Sequence, residues 1–135
     1  MKIIDFSKEP IIDIGENGKF DDNGVVTASL LNDGNKLYML YSGYQLCTKV
    51  PYLIFTGLAV STDNGYNFKK ITNSIPILDR IDGETQNRCV PYIIKEGDTY
   101  RMWYTASVDN GWVNSKNGRM EPLYDLKYAE SKGYF

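Results

Sequence analysis

The sequence predicts an all-β chain built from a repeated four-stranded antiparallel unit, the form of a propeller blade. Three observations predict it. Tyr, Ile, Val and Thr are concentrated in short segments, which suits pleated, half-buried surfaces, and Gly and Asn interrupt them about every ten residues. One hairpin is written twice: Lys36-Leu37-Tyr38-Met39-Leu40-Tyr41 aligns with Thr99-Tyr100-Arg101-Met102-Trp103-Tyr104 at an offset of 63, and Asp33-Gly34 aligns with Glu96-Gly97 at the same offset. Further on, Gly57-Leu58-Ala59-Val60-Ser61 aligns with Lys127-Tyr128-Ala129-Glu130-Ser131 at an offset of 70, and the longer loop from Ala106 to Pro122 takes up the difference. Each such sheet has two apolar faces and needs neighbours to bury them.

Taken in order, Val25 to Leu31 is apolar and β-branched and ends at Asn32-Asp33-Gly34-Asn35, a strong turn signal. Lys36 to Tyr41 follows with aromatic alternation, so the two predict a hairpin. Leu53 to Ser61 is the next strand, and only Cys47 to Phe55 competes as helix. Asp63-Asn64-Gly65 is a turn and Tyr66 to Ile71 a short strand. Val90 to Ile94, the turn Lys95-Glu96-Gly97-Asp98 and Thr99 to Tyr104 repeat the first hairpin, and Leu123 to Ser131 is the last strand. At the N-terminus, Phe6 and Pro10-Ile11-Ile12-Asp13 echo Phe68 and Pro76-Ile77-Leu78-Asp79. The expected layout is a first blade over about 20–75, a second over about 80–135, and residues 1–19 adding a strand to a neighbouring blade.

Composition removes several chemistries. The 135 residues contain no histidine, which excludes Ser-His-Asp and Cys-His nucleophile systems, His-ligated zinc and imidazole proton shuttles. Acid–base work falls to Asp, Glu, Tyr, Lys or Cys. A net charge of -2 with no basic stripe argues against a nucleic acid partner. No apolar run is long enough to span a membrane, and Asp5 interrupts any signal-peptide core. Two cysteines, Cys47 and Cys89, make no disulfide framework; reduced thiols in a cytoplasmic protein are expected. No metal-ligand spacing or cofactor motif is present, so neither a metal nor a cofactor is expected.

The order Phe20-Asp21-Asp22-Asn23-Gly24-Val25, Leu37-Tyr38-Met39-Leu40-Tyr41, Val50-Pro51-Tyr52, Gly57 to Gly65, Pro76-Ile77-Leu78-Asp79-Arg80, Arg101-Met102-Trp103-Tyr104 and Lys127-Tyr128-Ala129-Glu130-Ser131 resembles the five-bladed β-propeller glycosidases, the family 43-like, 32-like and 130-like glycoside hydrolases. The likeness spans essentially the whole chain but only the N-terminal part of the family, about two blades. It implies a fragment, a truncated product or a protomer that completes a ring by self-association. It implies a glycoside hydrolase-like protein acting on or binding a bacterial glycan, with a non-catalytic carbohydrate-binding or scaffold module as the alternative. Ser61-Thr62-Asp63-Asn64-Gly65-Tyr66-Asn67-Phe68 is also similar to the Asp-box turn of sialidase-type propellers, where the role is structural.

Glycoside hydrolysis uses two carboxyl groups, one acid and one base or nucleophile. The resemblance places a carboxylate before the innermost strand of the first blade, which selects Asp22 first and Asp21 second; Asp-Asp-Asn-Gly is equally good turn chemistry. Offset 63 carries Asp21 onto Glu84, a candidate for the acid or for tuning it, against a plain surface loop. The family's Arg-Asp-Pro motif is altered here to Arg88-Cys89-Val90-Pro91. Arg88 is a candidate for a sugar hydroxyl or carboxylate, or for a salt bridge to Glu84. Tyr44, Trp103 and Trp112 are candidate stacking platforms, Trp112 at the funnel rim or in loop packing, whereas Tyr41 and Tyr104, being repeat-equivalent, read first as blade packing.

Overall fold

The computed structural model describes residues 1–72 and 74–133. Among them every regular element is a strand. β1 (Gly24–Asp33), β2 (Lys36–Leu46), β3 (Tyr52–Ser61) and β4 (Lys69–Lys70) form an antiparallel meander. β5 (Asn87–Glu96) and β6 (Thr99–Ser107) open a second one. β7 (Trp112–Asn114) and β8 (Met120–Pro122) make a separate hairpin, after which β9 (Asp125–Lys132) pairs with β6. The meanders meet where β3 and β5 run parallel, at Ile54 opposite Asn87 and Phe55 opposite Arg88. The sheets are not closed.

The strands extend beyond the expected spans because the ladder continues past the apolar stretch: β2 runs on to Leu46 and β6 to Ser107. Cys47 to Phe55 is loop and then strand, not helix. The strand expected over Tyr66 to Ile71 shrinks to Lys69–Lys70, because residues 61–67 are consumed by a turn. Ser61 Oγ donates to Asp63 Oδ1 at 2.7 Å, the Asn67 backbone N–H donates to the same oxygen at 2.9 Å, and Asn67 Nδ2 donates to Oδ2 at 2.7 Å. Gly65 takes φ 92°, a left-handed conformation open to glycine. The Ala106 to Pro122 loop contains the β7–β8 hairpin, turned at Asn117-Gly118 with Gly118 at φ 78°. Residues 1–19 form no strand; Ile12 packs on the first meander.

Side-chain alternation along β2 splits the core in two. Met39 and Tyr41 face Phe20, Leu53, Phe55 and Ala59. Leu40 faces the other way and joins Leu31 and Leu58 to Ile93 and Tyr100, which cements one meander to the other. Each such buried side chain contributes about 1.5–3 kcal/mol relative to exposure. Tyr41 pairs across the ladder with Gly57, and its ring occupies the space a β-carbon would need there. Gly57→Ala is therefore expected to cost about 1–3 kcal/mol through overpacking. Urea denaturation checks this, and a midpoint equal to wild type would show that the ring has room to move.

β1 and β5 each carry a break in register: β1 between Thr27 and Ser29, β5 between Cys89 and Tyr92. These are bulge positions, where an extra residue bends the strand. In β5 the bulge holds Val90 at φ 50°, an unfavourable conformation for a β-branched residue. Its N–H donates to Ser42 Oγ of β2 at 2.9 Å, a second tie between the meanders.

The two tight hairpin turns are linked as well. Lys95 Nζ lies 2.7 Å from Asp33 Oδ1, and Tyr100 Oη donates to Asp33 Oδ2 at 2.7 Å. The Lys95 ammonium, then the Tyr100 hydroxyl, hold the Asp33 carboxyl below its ordinary 3.8. Hydrogen bonds from Ser61 and then Asn67 pull Asp63 down to about 2. A depressed folded-state pKa contributes stability that is present above the unfolded value and lost as pH falls through the folded one. Stability is thus expected to fall between about pH 4 and pH 2, and Asp33→Asn to flatten that fall. Denaturation curves over this range check it; an unchanged slope in the variant would remove Asp33 from the account.

Candidate functional site

One end of the sheets is closed by tight turns, Gly34-Asn35 and Gly97-Asp98. At the other end, the loops preceding β1 and β5, the β2–β3 loop and the long β6–β9 connection come together. Loops on a rigid scaffold are where binding groups gather, and most of the candidate residues lie here.

Asp21 is fully buried. Tyr41 Oη donates to Asp21 Oδ2 at 3.1 Å, and Lys70 of β4 forms an ion pair with the same oxygen. Gly15 and Gly43 press against the side chain so closely that a β-carbon at either would strike it. The Gly15 N–H donates to the Asp21 carbonyl at 3.0 Å, which pins the N-terminal segment to the first meander. Burial, then the Asp21 charge, push the Tyr41 hydroxyl well above its ordinary pKa, so it stays protonated and donates.

Glu84 sits in a second cluster of the same make-up. Tyr104 Oη donates to Glu84 Oε2 at 3.1 Å, and Arg88 Nε lies 2.8 Å from that oxygen as an ion pair whose N–H is not directed along the line. Arg88 Nη1 donates to the Asp79 carbonyl at 2.7 Å and Nη2 to Tyr104 Oη at 3.2 Å, with the guanidinium 5.1 Å from the Tyr104 ring centre. The salt bridge to Glu84 is thus the reading the geometry takes up for Arg88. In both clusters the tyrosine follows its acid by 20 residues, and a cation completes the group. Tyr41 and Tyr104, which read first as blade packing, are also hydrogen-bond donors to the two acids. An acid ahead of the inner strand with tyrosine 20 residues later, occurring twice, was the sequence signal for this; Lys70 carried none.

Asp22 differs. It is half-buried and its Oδ2 accepts the Gly18 N–H at 2.8 Å, while Oδ1 has no protein partner. Of the three candidate carboxylates, it is the one without a cation. Its Oδ1 is shielded from solvent, as is the unpartnered Oδ1 of Asp21.

Tyr44, Tyr52 and Trp112 converge at the same end: the Tyr44 and Tyr52 ring centres are 6.0 Å apart and those of Tyr52 and Trp112 5.0 Å, both edge to face. Tyr124 neighbours Tyr52, and burial raises the hydroxyl pKa of both Tyr124 and Tyr44. No local pattern marks Tyr52 or Tyr124 as site residues; they gather only through the fold. Trp112 is held by its own loop, where Asp109 Oδ1 accepts from Thr85 Oγ1 at 2.5 Å and the Leu123 N–H donates to the Gly111 carbonyl at 2.5 Å. The Trp112 indole N–H is buried without a partner. Trp103 stands apart from this group. It lies between Tyr92 and Tyr128, at ring distances of 6.4 and 5.5 Å, on a face of the second meander where Val90 and Leu126 are exposed. Both cysteines are free; burial pushes the Cys89 thiol up to about 12, so it is unreactive at neutral pH.

Comparison with known proteins gives three findings. Residues 2–119 match the family described as "Glycosyl hydrolases family 32 N-terminal domain". Two curated proteins of Mycobacterium tuberculosis, "Uncharacterized protein MT1551" of strain CDC 1551 / Oshkosh and "Uncharacterized protein Rv1502" of strain ATCC 25618 / H37Rv, are each 32% identical over 131 residues, covering 97% of this chain and 42% of theirs. The chain therefore spans less than half the length of these relatives. The solved structure of a BT0996 complex with RGII aligns with a TM-score of 0.59 over 94% of this chain and 31% of that protein, at 17% identity, which is a likeness of fold.

Proposed function

The chain belongs to the glycosyl hydrolases family 32 N-terminal domain family, and from that premise we propose that it is a glycoside hydrolase-like propeller protein that engages a bacterial glycan at its loop-rich end. The two meanders are then two blades of a five-bladed ring, the first over about 20–75 and the second over about 80–135. The inner strands support this: β5 begins and ends 63 residues after β1, and their bulges fall at matching places.

The observation that carries the reading is the convergence of Asp22, with its unpartnered Oδ1, and the Tyr44–Tyr52–Trp112 aromatic group at one end of the fold. Sugar rings present apolar faces to aromatics and hydroxyls to carboxylates, and this end supplies both. For hydrolysis, Asp22 is the base or nucleophile. A panel of chromogenic glycosides tests turnover, and titration with neutral and acidic oligosaccharides tests binding. Neither release of chromophore nor saturable binding from any of them would sink the reading.

Recognition without turnover is the second reading, and a specific observation favours it. Asp21 and Glu84 are each neutralised by a cation and a tyrosine hydroxyl. Hydrolysis needs two carboxyl groups across the bond, and among these three only Asp22 has no cation beside it. Saturable saccharide binding with no product would establish this reading.

The aromatic face around Trp103 is expected to drive self-association. Tyr92, Leu126 and Tyr128 are exposed there, an apolar surface that tends to be covered in solution. Sedimentation velocity should show mass rising with concentration, and Leu126→Glu should suppress it. A monomer across the whole range would exclude this.

A further inference from the structure

Arg80 differs from Arg88, which lies near it in the sequence. Arg88 is ion-paired with Glu84 and donates to the Tyr104 hydroxyl and the Asp79 carbonyl, and the sheet cations Lys70, Lys95 and Arg101 are each paired with a carboxylate. The Arg80 guanidinium has no ion-pair partner among the described residues. It lies instead over the Phe55 ring, 5.3 Å from its centre. Such stacking leaves the guanidinium edge, with its N–H fork, free to meet a ligand.

A cleft of about 300 Å³ opens beside it, lined by Gly18, Phe20, Gln45, Phe55, Asp79 and Arg80 among others. Phe20 and Phe55 are buried core residues, so one wall is rigid. Gln45 contributes an amide, only weakly held by the Lys19 carbonyl at 3.5 Å. Asp79 Oδ1 accepts the Arg80 backbone N–H at 2.7 Å, which fixes the start of the Arg80 side chain and leaves Oδ2 as an acceptor. Gly18 belongs to the cleft and also donates its N–H to Asp22, so the cleft adjoins the candidate carboxylate. A planar cation, an amide and a carboxylate around a small cavity fit one kind of ligand: a sugar ring with hydroxyls and a carboxylate of its own.

We propose that this cleft is a subsite for a uronic acid, with Arg80 gripping the sugar carboxylate in its fork while Asp79 and Gln45 take ring hydroxyls. The assignment rests on the glycan reading above and narrows it to acidic glycans.

The test is NMR titration of the 135-residue chain, following the backbone amide resonances of the cleft residues Gly18, Gln45 and Asp79 in wild type and variants, with sodium galacturonate and sodium glucuronate against galactose, glucose and sodium acetate. A saturable shift is expected with the uronates, with roughly tenfold weaker binding of the neutral sugars, the size of one charge-assisted contact. Arg80→Gln should remove that preference with only a small fall in the melting midpoint, since the side chain is exposed and gives up only its stacking on Phe55. Arg80→Lys should restore only part of it, because an ammonium lacks the fork. Equal binding of uronate and neutral sugar would overturn the subsite and leave the glycan reading standing. A shift with acetate as large as with the uronates would reduce Arg80 to a general anion contact and overturn it too. Uronate preference surviving in Arg80→Gln, or no shift with any ligand, would overturn it outright; the glycan reading itself falls only if the wider oligosaccharide titration is also blank.

Discussion

Asp21→Ala is expected to lower the free energy of unfolding by about 3–5 kcal/mol, the cost of breaking a buried ion pair from one side. That is a large share of the roughly 5–15 kcal/mol that holds a small domain together. Three losses combine. Lys70, mostly shielded from solvent, is left without its counter-charge. The Tyr41 hydroxyl keeps only a long contact to the Thr72 carbonyl at 3.5 Å. The space between Gly15 and Gly43 empties, so the N-terminal segment loses its seat. Asp21→Asn should fall between wild type and Ala, because it keeps an acceptor for Tyr41 but gives Lys70 no charge. Lys70→Met combined with Asp21→Ala should recover part of the loss, since removing both charges leaves none unpaired. Urea unfolding followed by tryptophan fluorescence measures all of these. A loss below about 1 kcal/mol for Asp21→Ala, the level of an exposed pair, would refute the clamp. Glu84→Ala should cost less, because Arg88 retains the Asp79 carbonyl and the Tyr104 hydroxyl.

How much of this was legible in the sequence depends on the distance over which each feature acts. Strands and hairpin turns are local: alternation over Lys36 to Tyr41 and the Asn32-Asp33-Gly34-Asn35 turn suffice to place β1 and β2. The Asp63 turn was equally readable, since its bonds span at most four residues. The β7–β8 hairpin was not, although Asn117-Gly118 marks its turn, because strands of three residues carry too little alternation to register. The site divides along the same line. The family resemblance picked out Asp22 and Asp21 and the 63-residue offset added Glu84, but their environments are set by groups far along the chain. Lys70 is 49 residues from Asp21, and no local pattern announces that β4 will deliver an ammonium there. The result is that equal-looking acids in neighbouring positions have unlike chemistry: Asp21 is locked in the core against Lys70 and Tyr41, and Asp22 is half-buried with no cation beside it. Trp103 shows the same limit. Its composition suits sugar stacking, yet strand register puts it between Tyr92 and Tyr128 on a sheet face.

Asp22→Asn is expected to cut the turnover of any glycoside the chain hydrolyses by about 10²–10⁴-fold, the range for losing a positioned acid or base. The variant is informative because Asn preserves shape. Its amide oxygen still accepts the Gly18 N–H, so the turn ahead of β1 should keep its form, and the melting midpoint should stay close to wild type. What is lost is the negative charge and one acceptor, the properties that a base or a nucleophile needs. A fall in kcat with little change in KM would mark a contribution made in the transition state, whereas a rise in KM alone would mark simple binding. Asp21→Asn serves as the contrast: it also removes a carboxylate from the same dipeptide, but its effect on activity should follow its loss of stability and diminish at low temperature. Activity surviving intact in Asp22→Asn would remove Asp22 from the chemistry. If wild type binds saccharide and hydrolyses nothing, the substitution should instead weaken binding by only a few-fold, since one hydrogen bond to a neutral ligand is worth about 0.5–1.5 kcal/mol. The size of the Asp22→Asn effect therefore separates the two readings: a hundredfold loss belongs to catalysis, a few-fold loss to recognition.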